Sequence, residues 1–101
     1  MKIILEVTFP HEPFNALVRA GSIDTKMAEI LESLKPEAVY FTDNDGKRSA
    51  IIITDLSDAS KIPTLAEPFF LTFNADIRIR VAMTGEDLQK SGLKTLGQKW
   101  A

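Results

Sequence analysis

Hydrophobic and polar residues alternate with a period of two in the first segment of the chain, Lys2–Phe9. The odd positions are apolar and the even positions mix isoleucine with lysine, glutamate and threonine. A period of two places successive side chains on opposite faces of a strand. The same alternation recurs in Ala75–Met83, where isoleucines line one face and arginines the other. The pattern predicts two strands, each with one apolar and one mixed face.

Two further strand-like runs flank the turn cluster Asp43-Asn44-Asp45-Gly46 in the middle of the chain. They are Ala38–Thr42 and Lys47–Asp55. An Asp-Gly pair between such runs is typical of the tight turn that closes an antiparallel hairpin. The sequence therefore predicts a central hairpin. It does not decide which face of the sheet each hairpin side chain occupies, because the alternation could be shifted by one residue.

Helical periodicity separates these strands. Phe14–Val18 forms a short piece that ends near Gly21, and Ile23–Leu34 carries a single apolar stripe. Ile62–Phe73 shows the same spacing. Pro68 lies inside this last segment, and because proline lacks the N–H of a helical hydrogen bond we expect a kink or a break there.

The order strand, helix, hairpin, helix, strand predicts a ferredoxin-like βαββαβ plait, an α+β fold. Its four-stranded antiparallel sheet has the order 4-1-3-2 and helices on one face. We expect a single domain, 1–101, with a short helical tail from about residue 85 to 101. Thr84 is the predicted cap of this tail, and Trp100 its predicted packing anchor.

The face of the sheet away from the helices is predicted to mix isoleucines with charges. It would carry Ile4, Glu6, Thr8, Arg78 and Arg80, with some of Tyr40, Thr42, Ile51 and Ile53. Burying an isoleucine side chain stabilises a protein by about 1.5–3 kcal/mol. Contact with a partner protein would therefore be more favourable for this face than contact with water. Buried arginines must pair, for example with Glu6. Since two-fold homodimers are the commonest oligomers, we expect a homodimer through this sheet face.

Composition excludes several classes of function. The chain has no cysteine, which removes disulfides, thiolate nucleophiles, iron–sulfur clusters and cysteine-ligated zinc. One histidine among scattered carboxylates has no metal-ligand spacing, and we expect neither metal nor cofactor. Twelve basic and fourteen acidic residues without a basic block argue against nucleic acid. No apolar run approaches the ~18 residues of a membrane span, so we expect a soluble, cytoplasmic protein.

Three residues are candidate catalytic groups: His11, Glu67 and Tyr40. His11 is the one side chain that titrates near neutrality, although a solvent-facing histidine between two prolines is the competing interpretation. Glu67 could be a polar group in an aromatic-walled pocket, and Tyr40 could belong to a substrate clamp or to an interface. No pair among them has the spacing of an acid and a base that act together.

Six residues are candidate ligand-binding groups. They are Asn15, Arg19, Phe70, Asn74, Arg78 and Arg80. The three arginines could hold an anionic group, but each could equally be an exposed charge or part of an interface network. Phe70 could wall a pocket or belong to the core, and Asn74 could line a pocket or cap its helix.

Four segments of the chain resemble a family of bacterial proteins of about 100 residues and unknown function. They are Glu12–Gly21, Leu34–Phe41, Ile62–Ala75 and Glu86–Leu88. That family looks like part of the dimeric α+β barrel superfamily, in which two ferredoxin-like subunits pack sheet against sheet. The resemblance implies the fold and the dimer but no catalytic residues. A proline that it leads one to expect near residues 81–85 is absent.

Two functions remain open. The first is a homodimer that binds a small apolar or anionic molecule in the cleft beside the sheet, without chemistry. The second is a cofactor-independent monooxygenase or isomerase that acts on a small aromatic or acidic substrate. The second requires that at least two of the candidate polar groups converge on one point of a cavity.

Overall fold

The computed structural model describes all 101 residues, and its central element is a four-stranded antiparallel sheet. The strands are β1 (Lys2–Thr8), β2 (Ala38–Asn44), β3 (Lys47–Asp55) and β4 (Asp76–Ala82). The helices are α1 (His11–Arg19), α2 (Ile23–Leu34), α3 (Ile62–Phe73), α4 (Gly85–Gln89) and α5 (Leu93–Lys99), with a 3₁₀ turn at Ala59–Lys61. None of these helices has the length and hydropathy that crossing a bilayer requires.

The strands lie in the order β2-β3-β1-β4, and each neighbouring pair is antiparallel. This is the predicted 4-1-3-2 order read from the other edge, and it confirms the α+β plait. In the register, Ile4 lies between Ile53 of β3 and Arg80 of β4, and Glu6 lies between Ile51 and Arg78. The alternation seen in the sequence therefore separates a core face from an outer face.

The core lies between the sheet and the helices, and four phenylalanines form its centre. The Phe9 ring stands edge-on to those of Phe14, Phe69 and Phe73, with centroid distances of 5.2, 6.2 and 5.0 Å. Phe9 follows β1, Phe14 is on α1 and the other two are on α3. These contacts hold both helices against the end of β1.

The central hairpin turns at two residues with positive φ, Asp45 (53°) and Gly46 (81°). Two left-handed positions in succession are the requirement of the Asp-Gly turn, so the predicted hairpin is confirmed. The register also settles the open question of faces. Tyr40 pairs with Ile51 and Thr42 with Ser49, so Tyr40, Thr42, Ile51 and Ile53 all lie on the outer face.

Helix α3 continues through Pro68, so of the predicted kink or break the break does not occur. Leu65 and Ala66 are buried before the proline, and Phe69 and Phe73 are buried after it. The packing of both halves against the sheet offsets the hydrogen bond that the proline cannot donate. The helix ends at Asn74, whose φ of 54° makes it the predicted cap.

Residues 83–101, called here the C-terminal arm, extend away from the sheet. Every one of these residues is exposed, and Trp100 is 75% exposed. The molecule measures 60 × 28 × 20 Å, and its radius of gyration is 17.1 Å. A compact chain of this length has a radius of about 13 Å. The expectation that Trp100 anchors the tail is therefore not met within the chain.

The capping of α4 leads to a prediction about pH. The Thr84 Oγ1 accepts a hydrogen bond from the Asp87 N–H, and the Asp87 carboxylate accepts one from the Thr84 N–H, each at 3.0 Å. These bonds lower the pKa of Asp87 below its ordinary 3.8. Because the ionised carboxylate is the better acceptor, its contribution is complete above the ordinary pKa and is lost as pH falls through the lowered one.

We expect Asp87→Asn to speed amide exchange in α4 at neutral pH. We also expect the stability of α4 in this variant to change less than in the wild type when the pH is lowered. NMR-detected amide exchange of Leu88, followed from neutral pH to about pH 2, measures both effects. Glu86→Gln is the control, since Glu86 lies in the same turn but accepts neither capping bond, and its exposed ion pair with Lys90 is worth only about 0.2–0.5 kcal/mol. Equal exchange in the two variants would contradict the assignment of the cap.

Candidate functional site

Two cavities open on the sheet, one on each side. The first, called here the aromatic cleft, has a volume of about 320 Å³ and lies on the helix side beside the hairpin. It is lined by Phe9, Phe14, Phe41, Thr42, Arg48 and Ser49. The second, called here the polar cavity, has a volume of about 280 Å³ and lies at the outer face. It is lined by Glu6, Thr8, Asn44, Asp45, Lys47, Asp76 and Arg78.

The aromatic cleft exists because the core face of the sheet continues beyond the helices. Phe41 of β2 pairs with the buried Ala50 of β3, so its side chain lies on the helix side. Ala50 is small and β2 is an edge strand, which leaves Phe41 60% exposed. The buried ring of Phe9 and the half-buried ring of Phe14 continue the same apolar surface. The result is an open aromatic surface next to the core.

Arg48 lies at the rim of this cleft. Its guanidinium carbon is 4.4 Å from the centroid of the Phe14 ring, and its Nη1 donates a 2.7 Å hydrogen bond to Asn15 Oδ1. Helix α1 thus holds the guanidinium in place through both a ring and an amide. No carboxylate lies within ion-pair distance of Arg48. The cleft therefore combines an apolar surface with a fixed cation that has no anionic partner.

The polar cavity has a different character. Its lining has no apolar side chain, and it mixes three carboxylates with one lysine and one arginine. Asn44 Nδ2 donates a 2.9 Å hydrogen bond to Thr8 Oγ1 across its wall. No group of histidine, aspartate or glutamate side chains is placed to hold a metal ion. The cavity can accept water and small polar molecules.

The outer face between these charges is apolar. Ile4, Ile51 and Ile53 are half-buried there. Arg80 Nη2 lies 3.6 Å from Glu6 Oε2 and forms a partly exposed ion pair with it. At one end, Lys2 Nζ lies 2.6 Å from Glu37 Oε1, and this hydrogen bond raises the pKa of Lys2.

The three candidate catalytic residues lie on three different elements. His11 is exposed at the start of α1, and Glu67 is exposed on α3. Tyr40 is exposed on the outer face of the edge strand β2. None of the three lines either cavity.

The candidate binding residues are equally dispersed. Asn15 holds Arg48 at the rim of the aromatic cleft, and Arg78 lines the polar cavity. Arg80 pairs with Glu6, and Arg19 Nη1 lies 3.3 Å from Glu12 Oε1 on α1. Phe70 is exposed on α3, and Asn74 caps that helix.

Sequence reasoning missed Arg48 and Phe41, although a signal for Arg48 was present. Arg48 has the same parity in β3 as the apolar Ala50 and Ile52, so the alternation places a cation on the core face of a strand. A charge in that position needs a partner or an opening. Phe41 has no such signal, because an aromatic residue in a strand is ordinary.

Comparisons with known proteins add little. No family model matches the chain, and no curated protein matches it. One similar solved structure is the "De novo designed protein Ferredog-Diesel", which is 9% identical. It has a TM-score of 0.46, and the match covers 80% of this chain and 85% of that chain. A similarity of this size carries no information about function.

Proposed function

We propose that this protein is a homodimeric α+β barrel that binds a small aromatic carboxylate in the aromatic cleft of each subunit. The observation that supports it most directly is the cation of Arg48, which is held over an open surface of phenylalanine rings and makes no ion pair, although Asp43 lies opposite it in the hairpin. A ligand with an aromatic ring and a carboxylate would satisfy both features together.

The size and chemistry of the cleft limit the ligand class. A volume of about 320 Å³ is at the lower end for small-molecule sites, so a single aromatic ring with a short acidic substituent fits best. The ring would pack edge-on against the phenylalanines. The guanidinium would then donate two parallel hydrogen bonds to the carboxylate. Because Asn15 already holds the Arg48 side chain, that side chain would lose little conformational entropy when the ligand binds.

The outer face supports the homodimer. It presents half-buried isoleucines around an ion pair between Glu6 and Arg80. A second copy packed on this face would remove the isoleucines from water. It would also strengthen the ion pair by lowering the dielectric around it. Sheet-to-sheet packing is also the assembly of the superfamily that the sequence resembles. The residues of the outer face are the reason for proposing it here.

Binding is proposed in preference to catalysis. A monooxygenase or isomerase without a cofactor needs a group that moves a proton next to the substrate. The register places the side chains of Thr42 and Ser49 on the outer face, so the polar side-chain group of the aromatic cleft is the guanidinium of Arg48. No histidine, carboxylate, lysine or tyrosine, the side chains that commonly transfer protons, lines the cleft.

Arg48→Gln tests this proposal. With benzoate as the probe, we expect the wild-type protein to bind and the variant to bind about tenfold or more weakly, because a charge-assisted hydrogen bond is lost. Isothermal titration gives the affinities, and the rise in melting temperature with benzoate checks them. Benzyl alcohol, which lacks the carboxylate, should not distinguish the two proteins.

Lys47→Gln is the matched control. Lys47 precedes Arg48 in β3 but lines the polar cavity on the other side of the sheet. Its substitution removes the same charge and should leave the benzoate affinity unchanged. An equal loss in both variants would show only a general effect of net charge. Absence of benzoate binding in the wild type would overturn the proposed ligand class.

A further inference from the structure

The C-terminal arm presents apolar side chains that have no cover in their own chain. Leu93, Leu96 and Trp100 follow one another at i, i+3 and i+7, so they lie on one side of α5 and its end. All three are exposed, as is Leu88 of α4. The capping box at Thr84 nevertheless gives the arm a defined local structure. A structured element with an uncovered apolar side is typical of an interaction surface.

The arm and the aromatic cleft lie at opposite ends of the sheet. The arm leaves β4 after Ala82, which pairs with Lys2 at the start of β1. The cleft lies beyond Thr8, at the other end of β1, about 20 Å away at the rise of a strand. The arm also lengthens the molecule to 60 Å instead of folding back over the sheet. The cleft of the same chain is therefore not the place where Trp100 docks.

We infer that Trp100 docks in the aromatic cleft of a second copy of this chain, so that two arms are exchanged reciprocally in the homodimer. The inference rests on the homodimer proposed above, but not on the ligand proposed for the cleft. A two-fold axis that crosses the strands brings the Ala82 end of one sheet over the Thr8 end of the other. The root of one arm then lies at the end of the partner's sheet where the cleft opens. Because the sheets pack through their outer faces and the cleft is on the helix side, the arm passes around that end of the partner's sheet to reach it. The exchange is reciprocal and closed.

The cleft suits an indole ring. Phe9, Phe14 and Phe41 supply aromatic contacts, and Arg48 supplies a cation at the rim. Tryptophan is the aromatic side chain that attracts a guanidinium most strongly. The partner's Trp100 would thus use the two features that were assigned to a ligand, an apolar surface and an unpaired cation. Arm and ligand consequently compete for one cleft.

Charge favours the same partner. The distal half of the arm, residues 90–101, contains three lysines and no acidic residue. Asp43 of β2 pairs with Arg48 across the hairpin, beside the cleft, and it is exposed. Lys99 lies next to Trp100 in the chain and would approach this carboxylate when the ring enters the cleft. Residues 1–83 hold twelve acidic side chains against nine basic ones, which adds a general attraction.

The fluorescence of Trp100 tests the inference directly, because it is the only tryptophan in the chain. In a dilution series of the full-length protein, we expect the emission to shift to shorter wavelength as concentration rises. The shift should follow the dimer fraction measured by light scattering. Trp100→Ser should raise the dimer dissociation constant about tenfold or more.

Phe41→Ser and Leu71→Ser form a matched pair. Both residues are exposed and apolar, but Phe41 lines the cleft and Leu71 lies on α3 outside it. Phe41→Ser should abolish the concentration-dependent shift and Leu71→Ser should keep it. A shift that survives in Phe41→Ser would overturn docking in the cleft.

The remaining outcomes separate this inference from the proposed function. A dimer whose emission does not change with concentration would overturn arm exchange and leave the homodimer intact. A protein that stays monomeric at every concentration would overturn both, whereas benzoate binding by that monomer would preserve the ligand class. A shift of the monomer's emission on vesicles of anionic phospholipid, with none on self-association, would assign the arm to a lipid surface and overturn the inference.

Discussion

Phe9→Ala is expected to lower the free energy of unfolding by about 3–5 kcal/mol, the usual cost of removing a buried phenylalanine ring. Phe9 is 1% exposed, and its ring contacts three other phenylalanine rings from two helices. The cavity cannot close easily, because each of those rings is held by its own helix. The substitution also removes part of the floor of the aromatic cleft.

Equilibrium unfolding in urea measures this loss. A domain of this size has a total stability of about 5–15 kcal/mol, so the midpoint should fall by a third or more in most of that range. Leu71→Ala is the control, since Leu71 is 81% exposed and its truncation should change stability by less than about 0.5 kcal/mol. A loss below about 1 kcal/mol in Phe9→Ala would show that the ring cluster does not anchor the helices.

Much of the fold could be predicted because the relevant signals are local. The alternation in β1 and β4 identified the core face of both strands. The Asp45-Gly46 turn fixed the hairpin, since its two positive φ angles suit few other residue pairs. Together with the helical stripes, these signals leave few arrangements of the chain other than the observed sheet order.

The site was less predictable because it depends on where the helices stop covering the sheet. The alternation in β3 places Arg48 on the core face, but the sequence does not show that the helices leave this end of β3 uncovered. The break that was one of the two expectations for Pro68 does not occur, for a related reason. The local loss of a hydrogen bond is visible in the sequence, whereas the packing of Phe69 and Phe73 that offsets it is not. The position of the arm has no signal in the sequence either, because none of its side chains is buried against the sheet.

Ile53→Glu is expected to abolish the homodimer without unfolding the subunit. Ile53 lies on the outer face, where its neighbours across the sheet are Ile4 of β1 and Ala38 of β2. It is half-buried in the single chain and would be covered in the dimer. An ionised carboxylate in a covered apolar face costs several kcal/mol when it has no partner, and neither of its neighbours across the sheet is a cation. The dissociation constant should therefore rise by about 100-fold or more.

Light scattering of the wild-type and variant proteins at matched concentrations measures this change, and circular dichroism checks that the variant is folded. Leu71→Glu is the control, since it adds the same charge to an exposed leucine on the helix side of the sheet. It should remain dimeric. If Ile53→Glu also remained dimeric, the copies would meet elsewhere, at the β2 edge or through the arms alone. In that case Trp100→Ser by itself should produce monomers, which separates a dimer built on the sheet from one held by exchanged arms.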